Sequence, residues 1–202
     1  MATKRPKSFD AKLARIESIA RADGDASALI GFLHDEEPVL VGRAATALVA
    51  SSAPTVDSAL GDCLVRLVTR EQPDRGCLAS EKVVAALLDR EALVPDAYHA
   101  GLSYVRRERS GIDIVDMAIP VRVGCAMGLM RTSVPEALLD VVPLLADEEE
   151  AVRSGAARAI AQVRSEAVAA LLHLKVLGGD RPEVMWACFE GLLAVAPERY
   201  LA

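Results

Sequence analysis

The sequence has few aromatic residues, and this scarcity narrows the fold classes that fit it. Aromatic residues make up 3% of the 202 positions, whereas apolar residues as a whole reach 52%. β-Sandwiches and barrels depend on aromatic and β-branched side chains, but the apolar residues here are mainly Ala, Leu and Val. Arg and Glu lie between them, and most of these residue types are good helix formers. The composition therefore predicts an all-α fold.

Metal ligands at a characteristic spacing are missing as well. The four cysteines, Cys63, Cys77, Cys125 and Cys188, form no CxxC pair, and only three histidines accompany them. A zinc site requires clustered soft ligands, so this pattern argues against one. We expect four reduced cysteines packed as small apolar residues, as in cytosolic proteins, and no metal or other cofactor.

The chain also lacks an excess of basic charge and any long apolar run. Its net charge is −6, whereas proteins that bind duplex nucleic acid usually need a basic face. Nucleic acid is therefore disfavoured as a partner. No apolar run approaches the roughly 18 residues of a membrane span, and the amphipathic stretch after the basic N-terminus is unlike a secretory signal. We expect a cytoplasmic protein without a membrane segment.

The sequence does contain an internal repeat. Four segments align without gaps, each beginning with an aspartate and closing with Leu or Ile: Asp35 to Leu48, Asp74 to Leu87, Asp116 to Leu129 and Asp147 to Ile160. A fifth, weaker copy runs from Gly179 to Leu192. Apolar or small residues in each copy fall on one helical face. Each copy therefore predicts a helix whose start is capped by the aspartate.

A second amphipathic stretch precedes each of these helices. The five stretches cover residues 26–33, 56–68, 95–105, 135–145 and 167–176. A single helix pair cannot bury both apolar faces, but stacked pairs form a continuous core. The pattern predicts an α-α superhelix, a solenoid of about five helix pairs, over residues 25–202. Residues 1–24 are expected to form a basic leader and an N-terminal capping helix.

These units resemble the HEAT-like repeat family, and the chain is similar to short bacterial HEAT-repeat proteins. Units of that family carry an acidic residue at the turn, then Val-Arg, a small pair and a closing apolar residue, as in Asp147, Val152-Arg153, Ala156-Ala157 and Ile160. The copy that begins at Asp116 matches too. The resemblance implies an Asp–Arg ladder along the stack. Val41 and Ser80 replace the arginine in the first two copies, so any such ladder is partial.

The resemblance is specific for architecture and almost silent on activity, because HEAT-like proteins serve many roles. Our first hypothesis is a non-catalytic scaffold that holds a protein partner. The candidate contact residues lie at the starts of the second helices and in the 106–116 insertion: Arg43, Lys82, Arg106, Arg107, Arg109, Arg122, Arg153 and Trp186. Trp186 stands where other units place the ladder arginine. It is either an exposed anchor for a partner or a core residue of the terminal repeat, and we prefer the core position. The aspartates Asp35, Asp74, Asp116 and Asp147 are expected to be structural caps.

Two other functions stay open. One is an enzyme or enzyme subunit of a HEAT-like class, either a nucleic-acid repair protein or a chromophore-lyase-type factor. The other is self-association through an exposed end repeat. Residues 106–116 are the first place to look for function, because they are too long for a tight turn and combine charges with Ile112, Ile114 and Val115. Insertions in repeats often lie on a binding face, although this one could instead pack as an irregular connector.

Overall fold

The structure, a computed structural model, describes residues 7–21, 25–69 and 74–200. The expected all-α repeat fold is confirmed, because the described residues contain five consecutive helix pairs. The pairs are α2 (Ala26–Phe32) with α3 (Pro38–Leu48), α4 (Val56–Thr69) with α5 (Leu78–Asp89), α6 (Pro95–Leu102) with α7 (Ile119–Arg131), α8 (Ala137–Val141) with α9 (Glu150–Ile160), and α10 (Glu166–Gly178) with α11 (Pro182–Val195). Helix α1 (Lys7–Arg21) precedes them and α12 (Pro197–Tyr200) follows. A short 3-10 turn, Arg75–Cys77, leads into α5. A second 3-10 turn, Val142–Ala146, directly follows α8 and completes the helical stretch that α8 begins.

The chain divides into two compact units, residues 1–92 and 93–202. In the first unit α3 packs on α1, α2 and α5, and α4 packs on α5. In the second unit α7 packs on α6 and α9, and α11 packs on α9 and α10. Helix α1 buries Phe9 and Ile16. A domain boundary between residues 24 and 25 stays a prediction.

The aspartates that open the repeats bind backbone amides, but most of them lie before the helix cap rather than at it. Asp35, Asp116 and Asp147 each accept a hydrogen bond from the amide two residues later, at 3.1, 2.9 and 2.8 Å. They therefore stabilise the turn that leads into the helix. Asp74 differs, because its carboxylate accepts from the amides of Ala79 and Ser80 in the first turn of α5.

Small residues allow α6 and α7 to approach closely. A Cβ atom added at Gly128 would lie 2.3 Å from Cε1 of Tyr98, whose side chain is buried. A Cβ atom added at Gly101 would lie 2.3 Å from Sγ of Cys125. Both distances are far below van der Waals contact, so glycine is required at each position for this packing.

The 106–116 insertion is a β-hairpin, which the sequence did not predict. Strand β1 (Arg107–Ser110) pairs antiparallel with β2 (Asp113–Asp116), and the register places Arg109 opposite Ile114. Gly111 has a φ of 65° at the turn, a conformation that primed hairpin turns require. The insertion therefore has a regular backbone instead of the irregular connector that was one of the two alternatives.

Among the described residues, no helix combines the length and the apolar character that crossing a membrane requires.

Candidate partner-binding surface

A buried ion-pair network joins the hairpin to helices α7 and α9 in the second unit. Nη1 of Arg122 donates to Oδ2 of Asp116 at 2.6 Å and to the carbonyl of Tyr104 at 2.8 Å. Its Nε lies 3.2 Å from Oδ2 of Asp147, the aspartate of the next repeat. Burial raises the pKa of Asp116, but hydrogen bonds from the amides of Ala118 and Arg106 and from Arg122 outweigh it and lower that pKa overall. The carboxylate is therefore charged and fully bonded at neutral pH.

The network continues one repeat further along the chain. Arg153 donates from Nη2 and Nε to both oxygens of Asp180, at 2.7 and 2.8 Å, and from Nη1 to the carbonyl of Asp147 at 2.8 Å. Lys175 lies 2.7 Å from the same Asp180 carboxylate. The hydrogen bond from Arg153 is the main reason that the pKa of Asp180 lies well below its usual range. Arg122 of α7 and Arg153 of α9 thus each form an ion pair with the aspartate that precedes the next second helix, Asp147 and Asp180, and the backbone carbonyl of Asp147 links the two pairs.

This geometry corrects the role expected for Arg122. The sequence placed it on the partner-binding face, but its side chain is only 2% exposed and its guanidinium is bound by two carboxylates and a carbonyl. A partner cannot reach it, so we assign it to the ladder. Arg153 is 15% exposed and its three nitrogens are also occupied, which leaves little of it for a partner.

The hairpin presents apolar side chains to solvent. Ile112 at its tip is 97% exposed, and Ile114 on β2 is 70% exposed. Arg109, directly opposite Ile114, is also exposed. Because cross-strand neighbours share a face of the hairpin, Arg109 and Ile114 form a mixed basic and apolar surface. Arg107 lies on the same face and reaches Oε2 of Glu148 at 2.5 Å.

The base of this hairpin is held firmly. Oδ1 of Asp116 accepts from the amide of Arg106 at 2.9 Å, and the carbonyl of Arg106 accepts from the amide of Met117 at 2.7 Å. The side chain of Arg106 bonds Glu108 at 3.0 Å. An exposed hairpin is thus fixed by a carboxylate that is itself part of the buried network.

Arg43 and Lys82 lie in the first unit, on either side of a shallow groove between α3 and α5. The groove has a volume of about 300 Å³ and is also lined by Val39, Gly42, Thr46 and Leu78. Both cations are exposed, and half of Leu78 is accessible. This groove is a second surface with basic and apolar character.

Trp186 is exposed, which contradicts the core position that we preferred from the sequence. It is 63% exposed, and Phe189 and Leu193 on the same face of α11 are 47% and 41% exposed. The buried residues of α11 agree with the expected fifth copy, Gly179 to Leu192, but they show that Trp186 lies one position beyond the ladder arginine. Val184, Cys188 and Leu192 of α11 are buried in the same spacing as Val152, Ala156 and Ile160 of α9. Trp186 therefore corresponds to Ser154, and Met185 takes the place of the ladder arginine.

Phe189 and Leu193 were missed by sequence reasoning, although a signal for them existed. In this alignment they correspond to Ala157 and Ala161 of α9. The change from small to large residues at these two positions distinguishes this face of α11 from the equivalent face of α9.

An open cleft of about 700 Å³ lies between α10 and α12. Nδ1 of His173 lies 2.9 Å from the hydroxyl of Tyr200 at its wall. Over residues 7–21, 25–69 and 74–200, no group of three or more His, Cys, Asp or Glu side chains is arranged to hold a metal ion.

Comparison with known protein families gives a match over part of the chain. A family model described as HEAT repeats matches residues 112–196, which include the end of the hairpin and helices α7 to α11. No curated protein matches the chain.

Proposed function

We propose that this chain, whose residues 112–196 match a family model of HEAT repeats, is a non-catalytic module that holds a protein partner through its β-hairpin. Ile112, Ile114 and Arg109 are the central contacts in this proposal. Arg107 flanks them, and Arg106 positions the hairpin base through its bond to Glu108. A cytoplasmic location is part of the same proposal.

The observation that carries the proposal is the exposure of two isoleucines on an anchored hairpin. Burial of an isoleucine side chain is worth about 1.5–3 kcal/mol, and the fold gains almost none of this from Ile112, which is 97% exposed. An isolated two-stranded hairpin is marginally stable in water. Here the buried Asp116–Arg122 pair holds its base. An anchored hairpin with an unused apolar tip is typical of a contact element rather than of a connector.

The charges near the tip define the chemistry of the partner. Arg109 is exposed beside Ile114, although the whole chain carries a net charge of −6. Arginine is frequent in protein interfaces, and rim charges guide association with a surface of opposite sign. We therefore propose a partner that offers an apolar pocket with an acidic rim.

The test compares capture of native partners by three forms of the protein. The wild type, the Ile112→Ser/Ile114→Ser variant and a Leu139→Ser control are used as bait in lysate of the source cells. Leu139 is 74% exposed on α8, so the control removes a similar apolar side chain away from the hairpin. We expect a stoichiometric partner with the wild type and the control, and its loss with the hairpin variant.

The captured partner is then purified and its affinity for each form is measured. Loss of two apolar contacts at an interface centre should weaken binding by about 10- to 100-fold. Equal affinity for the hairpin variant and the wild type would overturn the proposal. So would the absence of any stoichiometric partner after mild cross-linking.

A further inference from the structure

We infer that the outer edge of strand β1 pairs with an extended segment of the partner protein whose acidic side chains lie beside Arg107 and Arg109. This edge, called the β1 edge below, consists of the main-chain groups of Arg107 and Arg109 that point away from β2. The inference rests on the proposed function, in which the hairpin is the contact element, and it adds the way in which the partner binds.

The register of the hairpin decides which main-chain groups are paired. Ser110 and Asp113 are cross-strand partners separated by a two-residue turn. In such a hairpin the two residues that flank the turn exchange both of their main-chain hydrogen bonds. At the base, the amide of Met117 donates to the carbonyl of Arg106 at 2.7 Å, which agrees with the same phase. Hydrogen-bonded pairs therefore occur at every second position from the turn to the base.

Arg107 and Arg109 occupy positions between these hydrogen-bonded pairs. Their N–H and C=O groups consequently point away from β2. Over residues 7–21, 25–69 and 74–200, no main-chain hydrogen bond joins these groups to another element. Both residues are exposed. Two residues with two main-chain groups each can therefore give an added antiparallel strand up to four hydrogen bonds.

The edge of β2 offers less to a partner. Its outward-facing positions are Ile114 and Asp116, and Asp116 is buried and bound to Arg122. Only Ile114 therefore has exposed main-chain groups there. Proteins commonly interrupt unpaired edges with proline, but residues 103–116 contain none. The β1 edge is thus the longer accessible edge of the hairpin.

The arginine side chains select the kind of strand that can pair with the β1 edge. Arg107 and Arg109 are two positions apart on β1, so they lie on the same face. Cross-strand neighbours of like charge destabilise a sheet, whereas neighbours of opposite charge stabilise it. A second copy of β1 would bring arginine against arginine, so the charges disfavour pairing between two copies. A partner strand with acidic side chains at alternate positions places a carboxylate beside each arginine.

Contacts inside the chain leave both arginines accessible to such a strand. Glu108 points to the other face of β1 and is bound to Arg106 at 3.0 Å. Arg107 contacts Glu148, but their side chains are 60% and 82% exposed. Exposed pairs of this kind contribute little, so a carboxylate of the partner can replace Glu148 at low cost. Among the residues that the structure describes, no carboxylate forms an ion pair with Arg109.

The anchored base of the hairpin adds to the affinity of this edge. Asp116 holds the amide of Arg106 and the guanidinium of Arg122. The partner segment consequently pairs with a strand that is already formed, and binding does not have to order β1. Preorganisation of this kind lowers the entropic cost of association.

A synthetic peptide tests the β1 edge without the native partner. The probe is a short blocked peptide in which glutamate alternates with valine, and the control peptide carries lysine in place of glutamate. Heteronuclear NMR should show saturable shifts of the Arg107 and Arg109 amides with the acidic peptide only. With this peptide at about ten times its Kd, the amide of Arg109 should exchange with solvent about 10-fold more slowly. The amide of Ser110, which faces β2, should change little.

Two substitutions at Arg109 separate the main-chain hydrogen bonds from the charge. Arg109→Pro removes the outward N–H and leaves the ladder to β2 intact, since an edge strand tolerates proline where the N–H faces solvent. Arg109→Thr also removes the guanidinium, but it keeps the N–H and favours a strand. The proline variant should bind the acidic peptide about 3- to 10-fold more weakly than the threonine variant. Unchanged NMR shifts of Val115 would show that the hairpin is intact, and if it is lost, amide exchange of Arg109 in the wild type decides alone.

Absence of saturable binding, equal binding of the lysine peptide, or equal affinity of the proline and threonine variants would each overturn the inference. Failure of the proposed function is a separate result of the capture experiment. Loss of the native partner with Ile112→Ser/Ile114→Ser but not with Arg109→Pro would retain the hairpin as the contact element and reject strand addition. Peptide binding without any captured partner would reject the proposed function and retain the β1 edge as a strand-binding site.

Discussion

Arg122 and Asp116 form an ion pair of 2.6 Å in which neither side chain is more than 3% exposed. Asp116 is at once the last residue of β2, the acceptor for the amide of Arg106, and the aspartate that opens the third repeat. Arg122 extends the same contact to Asp147 in the next repeat. One carboxylate therefore holds both the base of the hairpin and the start of α7.

Replacement of Arg122 by Met should strongly destabilise the protein. The change leaves the Asp116 carboxylate buried without its cation, and the loss of one member of a buried pair typically costs about 3–5 kcal/mol. Urea denaturation followed by circular dichroism measures this free energy of unfolding. Arg158→Ala is the control, because Arg158 and Glu190 are both about half exposed and such pairs are worth roughly 0–1 kcal/mol. Similar losses in both variants would contradict the structural role assigned to Arg122.

Acid should destabilise the protein partly through Asp180. Its pKa is lowered in the folded state, chiefly by the hydrogen bond from Arg153. A lowered pKa means that the unfolded chain binds the proton more readily, so this contribution is complete above the ordinary aspartate pKa of about 3.9 and is lost as the pH falls below it. The thermal midpoint should fall from about pH 5 downward.

The matched variant for this pH dependence is Asp180→Asn. This variant should be less stable than the wild type at neutral pH. As the pH is lowered from 5, its thermal midpoint should decline less than that of the wild type. Asp113→Asn, at an exposed position of the hairpin, should show the same dependence of the thermal midpoint on pH as the wild type. If Asp180→Asn shows the same slope as the wild type, then the ion pair with Arg153 does not contribute to acid sensitivity.

The helix pairs were predictable because their signals are local. The period of the apolar residues within α4 or α9 is visible in fewer than fifteen consecutive positions. The hairpin was not predictable in this way. Neither Arg107–Ser110 nor Asp113–Asp116 alternates clearly between polar and apolar residues, and the strands depend on the turn at Gly111 and on anchoring by Arg122.

Exposure of Trp186 could not be read from the sequence for a related reason. Its own helix has a normal pattern, with Val184, Cys188 and Leu192 buried. Whether the opposite face is buried depends on what packs against it, and this is not encoded within α11. The burial of Arg122 likewise depends on Asp116 and Asp147, which belong to two different repeats.

Substitution of Gly128 by Ala should destabilise the second unit. The new methyl group would lie 2.3 Å from the ring of Tyr98, and overpacking of this kind costs about 1–3 kcal/mol. The helix propensity of alanine returns at most about 1 kcal/mol. We therefore expect a net loss, measurable as a lower urea midpoint with an unchanged slope.

Gly31→Ala is the control for this packing argument. Gly31 lies in α2, and an added Cβ atom there has no neighbour within 4 Å. Only the higher helix propensity of alanine relative to glycine applies here, so the variant should be stabilised by up to about 1 kcal/mol. Equal effects in the two variants would mean that contact with Tyr98 does not limit the approach of α6 and α7.

The four cysteines should be unreactive in the native protein. All four thiols are buried, and burial raises the pKa of the Cys125 and Cys188 thiols. Since the thiolate is the reactive species, labelling at mildly alkaline pH should be slow until the protein unfolds. Mass spectrometry should detect four labels in denaturant, and labelling of Cys125 under native conditions should follow the unfolding equilibrium. Rapid native labelling of Cys125 would mean that the contact between α6 and α7 opens far more easily than its packing against Gly101 implies.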